Sequence, residues 1–355
     1  MSSFIADNAC FAPLFADAEI EEQFAAEALM ARCLAFELEL TRALRDQDVV
    51  EKTMADAALQ AMETFKPDAS LLGAGSLNDG LPVPAYVRAL KAHVGVELSP
   101  AVHVGATSQD LLDTALVLGL REVSSILANR LERVINLLDQ VQARFGDRPM
   151  MARTRMQAAL PITVSDRLDT WLLPLRSHLE SLPFVRQQIE QLQFGGAVGN
   201  RNALNDRGDV VAAQIANAFG LGNPAKAWHA MREPVVTYGD FLSKVTGSLG
   251  KMGMDICLMA QQGVSEIALK GSGSSSAMPH KQNPVLAEML VTFARFNAVQ
   301  VPALHHAMVH EQERSGMAWT LEWMVLPLMA TTTGKALLHA TSLLDQIEAI
   351  GDEPV

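Results

Sequence analysis

The segment from Gln109 to Phe145 is the sequence feature that most limits the fold of this chain. It runs for 37 residues without a proline, and its apolar residues recur every three or four positions. This spacing places them on one face of an α-helix, and Thr107 or Ser108 can cap its first turn. At 1.5 Å per residue, the helix would be about 55 Å long. Several helices of this length, joined by short loops, pack as an elongated bundle.

The rest of the sequence predicts more helices of the same kind. Their expected ranges are 18–50, 163–192, 206–220, 232–262, 284–314 and 318–348, with shorter helices at 52–65 and 82–94 around the loop GAGSLNDGLPVP. No stretch has the period-two alternation of a half-buried strand, and none resembles a hairpin. We therefore predict an all-α fold, with a small N-terminal helical domain at 1–102 and an elongated long-helix bundle at 103–355.

The composition excludes several classes of function. The formal charge of −12 and the lack of a basic stripe argue against a nucleic-acid partner. No apolar window suits a membrane span, and the first residues do not resemble a signal peptide. The three cysteines lie far apart in sequence, which favours reduced thiols in the cytoplasm over a disulfide framework. His306 and His310 have metal-ligand spacing, but no motif supplies a third ligand, so we expect no metal and no cofactor.

Three polar segments interrupt the helices: the first at 103–110, the second at 153–163 and the third at 271–285. All three are rich in hydroxyl and amide groups with single basic residues, a composition suited to binding a small anion. None has the glycine and lysine spacing of a phosphate-binding loop. The first and second segments would lie at opposite ends of the long helix, about 50 Å apart. Either a second subunit brings one to the other, or they are unrelated capping loops.

The third polar segment resembles the signature GSSxMPxKxNP of the fumarase/aspartase superfamily. Here it reads SSSAMPHKQNP from Ser274, with serine where the family usually has glycine. Enzymes of the superfamily remove a proton from the carbon next to a carboxylate, through an aci-carboxylate intermediate, and expel a group from the neighbouring carbon. The resemblance implies that Ser275 handles the proton, or Ser276 if the extra serine shifts the alignment. It also implies that Lys281 and Asn283 bind the substrate carboxylate.

The resemblance extends to the other two polar segments and to the long-helix plan. It implies further substrate contacts from Thr107, Ser108, Thr154, Arg155, Gln157, His103, Met278 and Arg314. Helix capping is a compatible role for Thr107 and Ser108, and a packed structural histidine is an equal alternative for His103. The resemblance further implies a small polycarboxylate substrate and a homotetramer whose active sites are each built from three subunits. We expect the C-terminal domain of longer relatives to be absent.

The second polar segment departs from the pattern of many relatives. Those that release an amine or hydroxide have a histidine that acts on the leaving group, whereas this chain has Arg155 in its place. Arginine cannot deliver a proton at neutral pH. A carboxylate leaving group needs no proton, because its conjugate acid has a pKa of about 4. Elimination of an internal carboxylate, in reverse, is lactonisation: a carboxylate adds to a double bond within the same molecule.

Lactonisation of this kind is the reaction of the bacterial 3-carboxy-cis,cis-muconate cycloisomerases, a subgroup of the superfamily that serves aromatic degradation in the beta-ketoadipate pathway. The stretches HVGATSQDLLDT, LQFGGAVGN and HEQERSGMAWTLEWMVLP resemble that subgroup as well. The nearest alternative is an adenylosuccinate- or argininosuccinate-type lyase that releases fumarate, since SAMPHK occurs in adenylosuccinate lyases. The alternative from another class is an inactive superfamily member with a structural or binding role.

Overall fold

The computed structural model describes residues 7–271, 273–274, 278 and 282–352, and the chain is mainly helical within them. The helices are α1 (Ala12–Phe15), α2 (Ala18–Glu22), α3 (Ala26–Asp46), α4 (Lys52–Met62), α5 (Ala69–Asp79), α6 (Val83–Val94), α7 (Ser108–Phe145), α8 (Val164–Ile189), α9 (Gly208–Phe219), α10 (Glu233–Met259), α11 (Val285–Ala307) and α12 (Met317–Asp345). The strands are β1 (Pro149–Thr154), β2 (Gln157–Thr163), β3 (Ile267–Leu269), β4 (Gly273–Ser274), β5 (Gln282–Asn283) and β6 (Ile347–Ile350). Short 3₁₀ turns lie at Ser99–Ala101 and Asn202–Arg207.

Helix α7 confirms the long rod that the sequence predicts. Its 38 residues correspond to about 57 Å of helix. Thr107 is the N-cap, and its backbone N–H donates to the Asp110 carboxylate at 2.9 Å. An acidic side chain in the first turn is also favoured by the helix dipole. The rod is held along its length by fully buried leucines, among them Leu111, Leu120 and Leu131.

The long helices α7, α8, α10, α11 and α12 pack against one another, and α3 packs on the first half of α7. Their apolar faces form one continuous core cluster. Burying a leucine or phenylalanine side chain stabilises the fold by roughly 1.5–3 kcal/mol, so this face-to-face contact supplies most of the driving force. The all-α, elongated-bundle prediction is confirmed.

The prediction that the chain has no hairpin is wrong at the second polar segment. Strands β1 and β2 pair antiparallel, with Thr154 opposite Gln157. The turn between them consists of Arg155 and Met156, which have φ angles of 50° and 68°. Two residues with positive φ form the connection that matches the twist of a two-stranded ribbon. Residues 153–161 are exposed, so neither strand shows the alternation by which a strand is detected.

Three helical segments also differ from the sequence prediction. The expected loop at 73–84 is largely the helix α5, which Asp68 caps by accepting from the Ser70 N–H and which Gly80 ends at a φ of 75°. The helix expected over 18–50 breaks between Glu22 and Ala26. The helix expected over 284–314 ends at Ala307, and the following residues form an irregular connection to α12.

The described parts of the third polar segment lie at the same end of the bundle as the β1–β2 hairpin. Strand β3 pairs with β6, and β4 pairs with β5, with Gly273 opposite Asn283. Arg153 of β1 donates through Nη2 to the Glu266 carboxylate at 2.8 Å, just before β3. Among the described helices, none combines the length and apolarity that crossing a membrane requires.

Candidate active site

The first polar segment forms the N-terminal end of α7. Arg314, from the connection between α11 and α12, donates through Nη1 to the Thr107 hydroxyl at 2.7 Å. Ser108 is the first residue of the helix, and both hydroxyl residues are partly buried. The free backbone N–H groups and positive dipole end of a long helix favour an anion here. A guanidinium, two hydroxyls and a helix N-terminus together suit a carboxylate.

His103 lies four residues before the N-cap and contacts Glu37 of α3 through its ring and its backbone. One Glu37 oxygen lies 2.5 Å from the ring Nδ1, and the other accepts from the His103 backbone N–H at 3.1 Å. The His103 backbone is left-handed, with φ 61°. Burial is the largest single influence on the imidazole and lowers its pKa, but the charge and hydrogen bond of Glu37 outweigh it, and the pKa of His103 is raised.

Asp110 fixes the first turn of α7 to two other segments. Its carboxylate accepts from the backbone N–H groups of Gly195 at 3.0 Å and Gly196 at 2.9 Å, and lies 2.8 Å from Nε2 of His229. Gly196 has a φ of 68°, and a Cβ on it would lie 2.6 Å from the Gly105 carbonyl oxygen. Only glycine lets the two loops approach this closely. The backbone around Thr107 is therefore held in place by a fully buried acid.

A buried ion cluster lies one turn further along α7. The Arg232 guanidinium donates to both oxygens of Asp113, at 2.7 and 3.1 Å, and to both oxygens of Glu322, at 2.8 and 2.6 Å. Trp319 Nε1 donates to Asp113 at 2.9 Å. Burial works to raise the pKa of the Asp113 carboxyl, but the Arg232 charge and hydrogen bonds outweigh it and lower that pKa. The cluster joins α7 and α12 to Arg232, the N-cap residue of α10, beneath the first polar segment.

The second polar segment presents its residues at the opposite end of the rod. Thr154 and Gln157 face each other as exposed residues beside the hairpin turn, and Arg155 occupies the turn itself. Arg155 lines a cavity of about 350 Å³ together with Arg153, Met156, Arg167, Lys251, Asp255 and Glu266, among others. Basic residues outnumber acidic ones in this group, so the cavity favours an anion.

The third polar segment is described only in part. Asn283 lies in β5 and is half-buried, and Met278 is 44% exposed. Ser275, Ser276 and Lys281, which carry the predicted proton transfer and charge stabilisation, lie outside the described residues. Within the described part of the chain, no group of three or more histidine, cysteine or acidic side chains is placed to hold a metal ion.

The predicted site residues thus fall into two groups within one chain. Thr107, Ser108, His103 and Arg314 gather at the start of α7. The hairpin residues Thr154, Arg155 and Gln157, with Asn283 and Met278 of the third segment, lie toward its far end. The 38 residues of α7 put about 57 Å between the two ends, so one chain does not assemble both groups into one pocket.

Sequence reasoning missed Glu37 and the Arg232 cluster. Glu37 lies in the run CLAFELEL of α3, where Cys33, Phe36 and Leu40 are buried. A charge one turn from Cys33 on the core side of an amphipathic helix is rarely tolerated without a partner. The charged residue on the buried face of α3 therefore indicated that Glu37 has a partner. The pattern could not show which residue it is, because His103 lies 66 residues away.

A family described as lyase matches residues 15–301 of the chain. The protein belongs to this lyase family. It is 36% identical over 350 residues to the 3-carboxy-cis,cis-muconate cycloisomerase of Pseudomonas aeruginosa, a match that covers 96% of this chain and 76% of that protein. It is 33% identical over 347 residues to the enzyme of the same name from Acinetobacter baylyi, covering 95% of this chain and 77% of the other.

The fold is shared with a solved enzyme as well. The crystal structure of the 3-carboxy-cis,cis-muconate lactonizing enzyme from Pseudomonas putida superposes with a TM-score of 0.88 at 33% identity, covering 96% of this chain and 77% of that one. The resemblance to the fumarase/aspartase superfamily, read from the third polar segment, is confirmed by these matches.

Proposed function

We propose that this protein is a cycloisomerase that converts 3-carboxy-cis,cis-muconate to the carboxymuconolactone, in the protocatechuate-type degradation of aromatic compounds. The observation that carries the proposal is the similarity of 95–96% of this chain to two cycloisomerases, at 33% and 36% identity. Arg155 supports it chemically, since an arginine at the hairpin tip cannot protonate a leaving group and this reaction has none to protonate.

The proposed reaction forms two bonds and releases no group. An oxygen of one substrate carboxylate bonds to a double-bonded carbon, and the π electrons move toward the neighbouring carbon and its carboxylate, giving the aci-carboxylate. Ser275, as the hydroxyl, gives its proton to that neighbouring carbon, and the alkoxide is reprotonated from solvent. Lys281 and Asn283 stabilise the negative charge of the aci-carboxylate, where it is greatest in the transition state. Ser276 takes the role of Ser275 if the extra serine shifts the alignment.

The described groups have roles in the same proposal. Arg155 orients the attacking carboxylate, with Thr154 and Gln157 beside it as hydroxyl and amide donors. The cluster at the start of α7, namely Thr107, Ser108, His103 and Arg314, binds another carboxylate. Met278 contacts the substrate from the third segment. Because the two ends of α7 are too far apart to meet in one chain, the proposal includes a homotetramer in which each site is shared between subunits.

A cytoplasmic location belongs to the same proposal. All three cysteines are unpaired, and burial raises the pKa of the Cys33 thiol to about 12, which keeps it protonated and inert. Unpaired thiols of this kind suit a reducing compartment.

An ultraviolet assay tests the function directly. The purified protein is expected to remove the diene absorbance of 3-carboxy-cis,cis-muconate and to leave adenylosuccinate unchanged. Ser275→Ala is expected to abolish turnover while substrate binding stays measurable, because the proton donor is lost and the carboxylate ligands remain. Release of fumarate from adenylosuccinate would favour the lyase alternative, and no turnover of either compound would favour a structural or binding role.

A further inference from the structure

Among the described residues of α3, Glu37 is the one fully buried carboxylate, and it forms an ion pair with His103. Both of its oxygens are used on one residue: Oε1 on the His103 ring and Oε2 on the His103 backbone N–H. The ring itself is 15% exposed, so it is accessible from solvent whereas the Glu37 carboxylate is not.

The protonation of His103 follows from this geometry. A buried carboxylate without a compensating charge is costly, and removal of its partner from a buried ion pair is strongly destabilising. A neutral imidazole would leave Glu37 in that state. The protonated ring balances the charge of Glu37 and donates to it through Nδ1. Nε2–H is then the remaining donor of the imidazolium.

We propose that Glu37 is a positioning residue that holds His103 as an imidazolium beside Thr107 and Ser108, with Nε2–H available to a substrate carboxylate. This inference rests on the proposed function for the identity of that carboxylate. It gives the start of α7 a cation whose charge is fixed by a buried acid, in addition to the guanidinium of Arg314. Glu37 acts through His103 and does not itself reach the substrate.

The groups around the ring agree with a retained positive charge. Glu37 of α3 and Asp110 of α7 both favour the imidazolium, and Lys91 of α6 opposes it. The left-handed backbone of His103 also points to a position held by its surroundings, since a non-glycine residue at φ 61° has a strained backbone. The Glu37 bond to the His103 backbone N–H holds the residue in that conformation.

The chain supplies a matched control on the same helix. Thr41, one turn beyond Glu37, donates through its hydroxyl to the Ala101 carbonyl at 3.3 Å. It therefore supports the same segment, two residues before His103, without any charge. Thr41→Val removes a tether from this segment and leaves the ion pair intact, whereas Glu37→Gln keeps the side-chain size and removes the charge.

The test is an NMR titration of the histidine side chains in the full-length protein, with the His103 signal assigned by its loss in His103→Asn. In the unmodified protein the His103 pKa is expected above the ordinary value of about 6.5. In Glu37→Gln it is expected to fall by about one unit or more, because the stabilising charge is gone. In Thr41→Val it is expected to stay within about 0.3 units of the unmodified protein.

The kinetic readout is the pH profile of kcat/KM for 3-carboxymuconate, which reports groups of the free enzyme. Its alkaline limb is expected to move to lower pH in Glu37→Gln by the same amount as the His103 pKa. Circular dichroism first establishes that the variant is folded. If Glu37→Gln does not fold, His103→Asn replaces it, and the alkaline limb is expected to disappear from its profile.

Two outcomes would overturn the inference: an unchanged His103 pKa in folded Glu37→Gln, or an alkaline limb that persists in His103→Asn. Loss of activity in Glu37→Gln with an unchanged His103 pKa is a case of the first outcome and would mean that Glu37 has a purely structural role. The titration needs no substrate. Failure to turn over 3-carboxymuconate would therefore contradict the proposed function, and the titration would still test the Glu37–His103 inference.

Discussion

Arg155 and Met156 form the hairpin turn in a backbone conformation that glycine, and not arginine or methionine, prefers. Replacement of Arg155 by glycine removes a left-handed penalty of about 1 kcal/mol. The greater freedom of glycine in the unfolded chain offsets roughly 0.4–1 kcal/mol of that gain. We therefore expect Arg155→Gly to change the free energy of unfolding by less than about 1 kcal/mol. Its kcat/KM should fall at least about tenfold, because a charge-assisted contact to the substrate is lost. Urea unfolding and steady-state kinetics measure the two effects.

Met156→Gly is the matched control at the neighbouring position of the same turn. It relieves the same backbone strain but removes no charge, so kcat/KM is expected to stay within about threefold of the unmodified protein. Equal activity losses in the two glycine variants would show that the turn geometry matters and the Arg155 guanidinium does not.

At the scale of elements, the Arg232 cluster connects α7, the N-cap of α10 and α12 through charges that are fully buried. Arg232→Leu would leave Asp113 and Glu322 buried without their cation. Removal of one member of a buried ion pair typically costs about 3–5 kcal/mol, and we expect a loss of unfolding free energy of that size. Equilibrium urea denaturation measures it.

A second interhelical pair provides the comparison. Arg176 of α8 donates to both oxygens of Asp139 of α7, at 2.7 and 2.9 Å, but the two side chains are 46% and 41% exposed. Surface pairs contribute about 0–1 kcal/mol, so Arg176→Leu is expected to be nearly neutral. A loss as small in Arg232→Leu would contradict the role assigned to the buried cluster.

The same elements show what could be predicted from the sequence. Helix α7 was predicted within one residue because an uninterrupted apolar period and a capping residue are local signals. The β1–β2 hairpin was not, because its strands are exposed and its Arg155–Met156 turn lacks the glycine or asparagine that usually marks such a turn. Helix α5 was missed because Gly73 and Gly75 in its interior resemble loop residues.

Candidate site residues were predictable to the extent that they lie in recognisable motifs. The Thr107–Arg314 hydrogen bond joins two such motifs 207 residues apart. Partners such as Glu37 and Arg232 carry no motif, and only folding brings them to His103 and Asp113. Pairing across such distances depends on how the helices pack, which local periodicity does not specify.

At the scale of the whole molecule, several helices leave apolar side chains exposed on the bundle. Leu173 and Phe184 of α8 are 59% and 61% exposed, and Val299 of α11 is 68% exposed. Contact with copies of the same chain would cover such residues, which supports the proposed homotetramer. The shared-site arrangement makes a prediction about mixed assemblies of inactive variants.

Co-expression of Ser275→Ala with Arg314→Ala is expected to restore activity that each variant lacks alone, because the two residues belong to opposite ends of α7. If a site takes Ser275 from one subunit and Arg314 from another, each of the two subunits carries the residue it must supply in half of the cases. Random mixing then restores about a quarter of the sites. Differently tagged variants, purified through both tags, give the mixed assemblies for assay with 3-carboxymuconate.

Co-expression of Ser275→Ala with Asn283→Ala is the control, because both residues belong to the third polar segment and reach a site from the same subunit. No mixture of those two variants contains a subunit with that segment intact, so activity is expected to stay absent. The 57 Å length of α7 requires that the two ends come from different chains if they serve one site. Failure of the first mixture to exceed the second would therefore place each site within a single subunit, and the groups at the start of α7 would have to serve something other than the reaction at the hairpin end.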